Sequence, residues 1–268
     1  MIFEKNLTSD FPFEKCSFVA LDIEATGLRI KEDRILEIAL VKWEYNGKKQ
    51  YFESLFNPGV EPTQHSINIH GITKAEFQNA PEFRQLKKKI VDFIGDSILI
   101  GFNILSLDLS ILNKELRLQG EAPLYNYIID VQGVASKILG TPKERSLYTV
   151  SKELDIYPSN FHRALPDAET TLKIWIKLLE HFRAQGFRTL KEIHERGYFN
   201  IKLNPVARDI FLLGRQNRYV EIVYKSPTSP KTKRTIEPLG VRGSMVDAFC
   251  NLRLDFRSFN TSYILSYK

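Results

Sequence analysis

The chain has 268 residues, room for one large domain or a medium and a small one. At 43% hydrophobic and 26% charged it reads as a globular protein, and no segment approaches the ~20 apolar residues of a membrane span. The net charge of +6 is uneven: residues 1–214 hold 28 Lys+Arg against 28 Asp+Glu, and residues 215–268 hold 10 against 4.

Met1-Ile2-Phe3-Glu4-Lys5 has no cationic start leading into an apolar run, so no secretory signal is expected. Cys16 and Cys250 form no disulfide framework and are too few for a structural metal cluster, which suits reduced thiols in a cytoplasmic protein. The first predicted strand is apolar from Phe18 to Leu21 and runs into Asp22-Ile23-Glu24-Ala25-Thr26-Gly27. Side chains alternate along a strand, so Asp22 and Glu24 face one side and Ile23 the other. Two carboxylates there repel unless they reach solvent or share a cation, and Mg²⁺ or Mn²⁺ prefers such oxygen ligands.

Ile35–Val41 reads as a second strand, Asn46-Gly47 as a hairpin signal and Tyr51–Phe56 as the return strand. Asn57-Pro58-Gly59 ends this sheet, and a loop carrying His70-Gly71-Ile72-Thr73 follows. Pro81 fits the first position of a helix with Phe83, Leu86, Ile90 and Ile94 on one face, Lys87-Lys88-Lys89 on the other and Gly95 as its cap. Ile98–Gly101 is a short buried strand, after which Asp108 interrupts an apolar helix start. An acid there either caps the positive end of the helix or ligates a metal. Ile128–Val131 reads as a strand edge and Ser146–Val150 as a helix start. Pro166 and Asp167 suit the first turn of a helix with the stripe Leu172, Trp175, Ile176 and Leu179. His162, on the loop feeding that helix, reads alone as a hydrogen-bonder and beside three other acids as a candidate base.

Together these residues resemble the DEDDh 3′→5′ exonucleases, the family of the proofreading subunit of bacterial DNA polymerase III and of RNase T. Asp22-Ile23-Glu24-Ala25-Thr26-Gly27 is close to the family's Asp-x-Glu-Thr-Thr-Gly, and His162-x-Ala164-x-x-Asp167 matches its third motif in full. The second motif, Gly101-Phe102-Asn103 through Asp108, departs from Gly-His-Asn-x-x-Phe-Asp: Phe102 and Leu107 replace the histidine and phenylalanine, and one extra residue precedes the acid. The likeness spans about residues 16–185. It implies a ribonuclease H-like α/β fold, a mixed central sheet flanked by helices. By the same resemblance, Asp22, Glu24, Asp108 and Asp167 hold two divalent ions, Mg²⁺ or Mn²⁺, and His162 takes the proton from the attacking water. Thr26, Gly27, His70 and Asn103 are the implied substrate contacts, and the implied product is a nucleoside 5′-monophosphate from a free 3′ end.

Residues 182–208 read as a helical linker, and from Arg215 the pattern turns to short strands. Arg234…Pro238-Leu239 and Ala248-x-Cys250-x-x-Arg253-x-x-x-Arg257-x-Phe259 resemble a WYL domain, a small all-β Sm/SH3-like barrel, although Ser244-Met245-Val246 stands where the naming triplet belongs. The resemblance implies that Arg234, Arg253 and Arg257 meet a nucleic acid or an anionic ligand; the alternative pairs Arg253 and Arg257 with Asp247 and Asp255. The expected organisation is therefore an exonuclease domain over 1–185, a helical linker over 186–214 and a basic barrel over 215–268. The expected activity is metal-dependent 3′→5′ exonuclease action on single-stranded DNA, with RNA or short oligonucleotides second. The rivals are a regulatory or defence-associated binding protein with a nuclease-like part, and a structural subunit recruited to a polymerase.

Overall fold

The computed structural model describes residues 12–140, 145–158, 162–199 and 203–268, so the N-terminal reading on Met1–Lys5 lies outside the described residues. The described residues fall into two compact units: one within Met1–Thr26, Ile35–Ile104 and Asn126–Ile201, the other within Gly27–Arg34, Leu105–Tyr125 and Lys202–Lys268.

The first unit is built on a five-stranded sheet of β1 (Ser17–Ala25), β2 (Ile35–Glu44), β3 (Lys49–Leu55), β4 (Ile98–Gly101) and β5 (Ile128–Asp130), in the order β3-β2-β1-β4-β5. β1 pairs antiparallel with β2 and parallel with β4, so the uninterrupted run Phe18–Leu21 is central and fully buried. The hairpin lies where Asn46-Gly47 predicts it, with Asn46 Oδ1 accepting the Lys48 N–H at 2.9 Å.

Between β3 and β4 lie α1 (Gln64–His70), α2 (Lys74–Phe77) and α3 (Phe83–Ile94). Helix α3 buries Phe83, Ile90 and Ile94 as expected, but its N-cap is Glu82, so Pro81 precedes the helix instead of opening it. After β5 come α5 (Val131–Ile138), α6 (Leu147–Glu153), α7 (Ala164–Ala184) and α8 (Leu190–Glu195). Helix α7 packs on β1 and β2, and the Phe18 ring meets Trp175 at 5.6 Å and Trp43 at 5.9 Å between centroids. The fully buried Ala164 and Ala168 let the start of α7 lie close on the sheet.

The second unit contains α4 (Asp108–Leu118), α9 (Pro205–Asn217) and five antiparallel strands: β6 (Val220–Tyr224), β7 (Thr232–Arg242), β8 (Met245–Cys250), β9 (Asp255–Asn260) and β10 (Ile264–Tyr267). They run β10-β6-β7-β8-β9. The expected linker thus divides, α8 belonging to the first unit and α9 to the second. Both α4 and α9 lie on β7, whose residues from Ile236 to Val241 are all buried. At Gly240 any Cβ would overlap Ser110 of α4, so the close approach of helix and strand requires glycine.

Polar contacts in this unit are buried and paired. Asp247, fully buried, accepts from Ser110 Oγ at 2.9 Å, from Arg242 Nε at 2.9 Å and from the Ser258 hydroxyl. Glu237, also fully buried, accepts from Arg117 at 2.5 Å and Arg218 at 2.7 Å. Asn113 Nδ2 donates to the Leu239 carbonyl at 2.7 Å. Each of these charges taken out of water has a partner, as burial demands.

Candidate active site

Asp22 and Glu24 lie two residues apart on β1 and share a face, as alternation requires. Glu24 pairs in register with Glu37 of β2, and the register shifts immediately afterwards, between Glu24 and Ala25. Such a bulge redirects the chain directly after the second acid. Asp167 comes from the first turn of α7. Single carboxylate oxygens of Asp22, Glu24 and Asp167 all lie within 4.8 Å of one another.

Electrostatics makes this grouping costly without a cation. Burial, then the Asp167 charge and the Glu37 charge, push the Glu24 carboxyl up to about 8. Burial pushes Asp167 up to about 6, opposed by the backbone hydrogen bond from His162. Asp167 is 8% exposed; its Oδ2 accepts the His162 N–H at 3.2 Å, whereas buried Oδ1 has no hydrogen-bond partner among the described residues. An all-oxygen donor set with raised acids and an orphaned buried oxygen fits a hard divalent cation.

His162 is exposed and takes a left-handed backbone, φ 62°. The next residue, Arg163, donates to Glu37 through Nε at 3.1 Å and Nη2 at 2.7 Å, and Ala164 N–H donates to the same carboxylate at 2.9 Å. The remaining acid of the motif set, Asp108, is the first residue of α4, behind the N-cap Leu107, and belongs to the second unit. The additional residue of that motif is taken up in the turn segment 102–107. Phe102, where the family pattern has histidine, packs against the apolar core of the first unit.

The implied substrate contacts have varied surroundings. Thr26 is buried, and its carbonyl accepts the Thr63 N–H at 2.8 Å. Gly27 lies against the Asp33 carboxylate, where a Cβ would collide. His70 is buried, with Nδ1 accepting the Ile72 N–H at 2.9 Å, and burial lowers its pKa. Asn103 is exposed at φ 63°, its N–H donating to buried Asp130 at 3.1 Å. In the second unit, Arg234 is buried beside the rings of Tyr224 and Phe259, with Nε donating to Thr232 at 2.9 Å. Arg253 and Arg257 are exposed.

Sequence reasoning missed Glu37, Arg163 and Asp130. Glu37 does carry a signal in the chain, since one acid inside the apolar run Ile35–Val41 must have a buried partner.

A mixed sheet with this strand order, flanked by helices, with Asp22 and Glu24 on its central strand and Asp167 brought beside them by α7, is a ribonuclease H-like α/β fold with a carboxylate cluster able to hold a metal ion. The family model described as Exonuclease (RNase T) matches residues 19–175, more than half of the chain, and the chain belongs to that family. It is similar to the PolC-type DNA polymerase III of Bacillus cereus, 30% identical over 179 residues covering 67% of this chain and 12% of that one. The Halalkalibacterium halodurans polymerase of the same type is 32% identical over 234 residues, 83% of this chain and 16% of that one. The chain therefore spans about an eighth to a sixth of the length of these relatives. Among solved structures, E. coli Exonuclease I in complex with a dA16 oligonucleotide superposes with TM-score 0.58 at 16% identity, covering 88% of this chain and 55% of that one. Cell-death related nuclease 4 superposes with TM-score 0.53 at 17% identity, covering 63% and 65%. Among the described residues no helix is long and apolar enough to cross a membrane.

Proposed function

We propose that the protein is a metal-dependent 3′→5′ exonuclease that releases nucleoside 5′-monophosphates from single-stranded DNA. The observation that carries this reading is the convergence of Asp22, Glu24 and Asp167, with an orphaned buried oxygen, next to a loop presenting His162. Asp108 is assigned as the fourth acid from its motif. Two divalent ions, Mg²⁺ or Mn²⁺, held by these acids would supply an acidified water and counter-charge for the phosphate oxygens.

The protein's own groups do the rest. Carboxylates fixed on a buried strand and a helix turn present oxygens in a set geometry with little reorganisation. Imidazole is the side chain best suited to take a proton at neutral pH, and the exposed ring of His162 accepts that of the attacking water and passes it to solvent. Thr26, Gly27, His70 and Asn103 are assigned to the substrate side of this site. Single-stranded DNA is favoured by the polymerase-type relatives and by the oligonucleotide carried by the Exonuclease I neighbour. RNA is the second reading, supported by the likeness to a 3′-exonuclease solved for its 3′-end specific recognition of a histone mRNA stem-loop, TM-score 0.53 at 18% identity.

The second unit is read as a WYL-like barrel whose Arg253 and Arg257 meet phosphates, with Arg234 stiffening the sheet beneath or facing an anion. In favour of this, Arg242 occupies Asp247 and Lys31 pairs with Asp255 at 2.6 Å, while Arg253 and Arg257 form no ion pair among the described residues. The test is 5′-labelled single-stranded DNA and RNA incubated with Mg²⁺, Mn²⁺ or EDTA. Stepwise shortening from the 3′ end that EDTA abolishes supports the reading; no shortening of either polymer overturns it.

A further inference from the structure

Helix α7 opens without a side-chain cap of its own: Arg163 occupies the N-cap position and makes no capping hydrogen bond. The first N–H groups of a helix need acceptors, and the positive end of its dipole favours an anion. Here the anion comes from across the sheet. Glu37 of β2, 1% exposed, accepts the Ala164 N–H at 2.9 Å and takes the Arg163 guanidinium through both Nε and Nη2. Glu37 stands directly opposite Glu24 in the strand register. Like charges placed so are destabilising, and the guanidinium is what makes a second buried carboxylate tolerable there. The same guanidinium reaches Glu76 through Nη1 at 3.4 Å, and Glu76 in turn accepts the Thr73 N–H at 2.8 Å.

His162 therefore sits between two fixed points. Its own N–H is held by Asp167 at 3.2 Å, and the two residues after it are held by Glu37. Its left-handed backbone, φ 62°, is one that a histidine keeps only when its surroundings enforce it. We propose that the buried Glu37–Arg163 pair is a positioning device for the reaction: it fixes the 162–164 loop so that the exposed imidazole of His162 is aimed over the carboxylate cluster. This rests on the reading of His162 as the base. Neither Glu37 nor Arg163 is asked to touch substrate.

The test is a double-mutant cycle. Arg163→Lys keeps the charge but loses the planar fork, and Glu37→Gln keeps the shape but loses the charge. With single-stranded DNA and saturating Mn²⁺, each should lower kcat about tenfold or more while KM changes little, since general-base positioning acts on the chemical step. Introduced into a His162→Ala background, the same substitutions should cost less than about twofold, because residues acting through one group are not additive. In metal-free protein, hydrogen exchange of the His162 and Ala164 amides should quicken in both variants while the rest of α7 stays protected. Unchanged kcat in both single variants, or an equal loss in the His162→Ala background, overturns the proposal while leaving the nuclease reading intact. Full activity in His162→Ala alone overturns the proposal together with the reading of His162 as the base, and absence of nuclease activity in the unsubstituted protein overturns the nuclease reading itself. Should Glu37→Gln fail to fold, Arg163→Lys carries the whole cycle.

Discussion

At the scale of residues, the site is a set of charges that the fold holds in an unfavourable state. Glu24 and Asp167 are raised to about 8 and about 6, both chiefly by burial. A carboxyl raised in the folded protein contributes stability that is present at acid pH and lost as pH climbs through the folded value. Metal-free protein in EDTA should therefore melt at a higher temperature near pH 5 than near pH 9, the loss running from the ordinary value of 3.8 up to about 6 for Asp167 and from 4.5 up to about 8 for Glu24. Added Mn²⁺ should reverse that trend, because binding grows as the acids lose their protons. A melting temperature indifferent to pH in EDTA would contradict the electrostatic account. Asp167→Asn and His162→Ala should stay folded, with circular dichroism unchanged, yet lose about 10²-fold or more in nuclease rate. Full activity in the Asp167 variant would remove that acid from the mechanism.

At the scale of elements, local chemistry explains most of what forms. The run Phe18–Leu21, the Asn46-Gly47 turn and the stripe Leu172, Trp175, Leu179 are legible in the chain because each expresses one period or one turn rule. Asp22, Glu24, Asp167 and His162 are legible as motif residues, and the fold brings the three acids together. Glu37 shows in the chain as an acid that needs a buried partner, but which partner is not legible, since Arg163 lies 126 positions away. Strand β10, Ile264–Tyr267, escapes a sequence reading because it is short and half-exposed and shows no clean alternation. The polar contacts of the second unit are equally out of reach, since Ser110 and Asp247 are 137 positions apart. They have a measurable consequence. Asp247→Ala strips the partner from Arg242 and Ser110 at once, and should lower unfolding free energy by about 2–4 kcal/mol in urea denaturation, below the full cost of breaking a buried pair because Arg242 is a third exposed. A loss under about 1 kcal/mol would mean that the pair is not structural.

At the scale of the whole molecule, the chain order is not the order of the compact units. Residues 27–34 and 105–125 group with the C-terminal sheet, an arrangement set by long-range packing that no local pattern reports. This bears on how the basic end should be tested. Removing residues 215–268 would take away β7, against which α4 buries Ser110 and Asn113, so the truncation would expose that helix as well as delete charge. The Arg253→Ala, Arg257→Ala double variant isolates the charge, since both side chains are exposed. If they meet phosphates, the slope of log affinity for single-stranded DNA against log salt should flatten by about 0.7 for each phosphate left without its arginine. An unchanged slope assigns the basic excess to ordinary surface.

Whether Asp22, Glu24 and Asp167 form one divalent-cation site is decided by an electron paramagnetic resonance titration of Mn²⁺ into the protein. Saturable loss of the free Mn²⁺ signal is expected, weakening markedly in Asp22→Asn and Asp167→Asn. Saturable binding equally strong in both variants, or no binding by the intact chain, would contradict it.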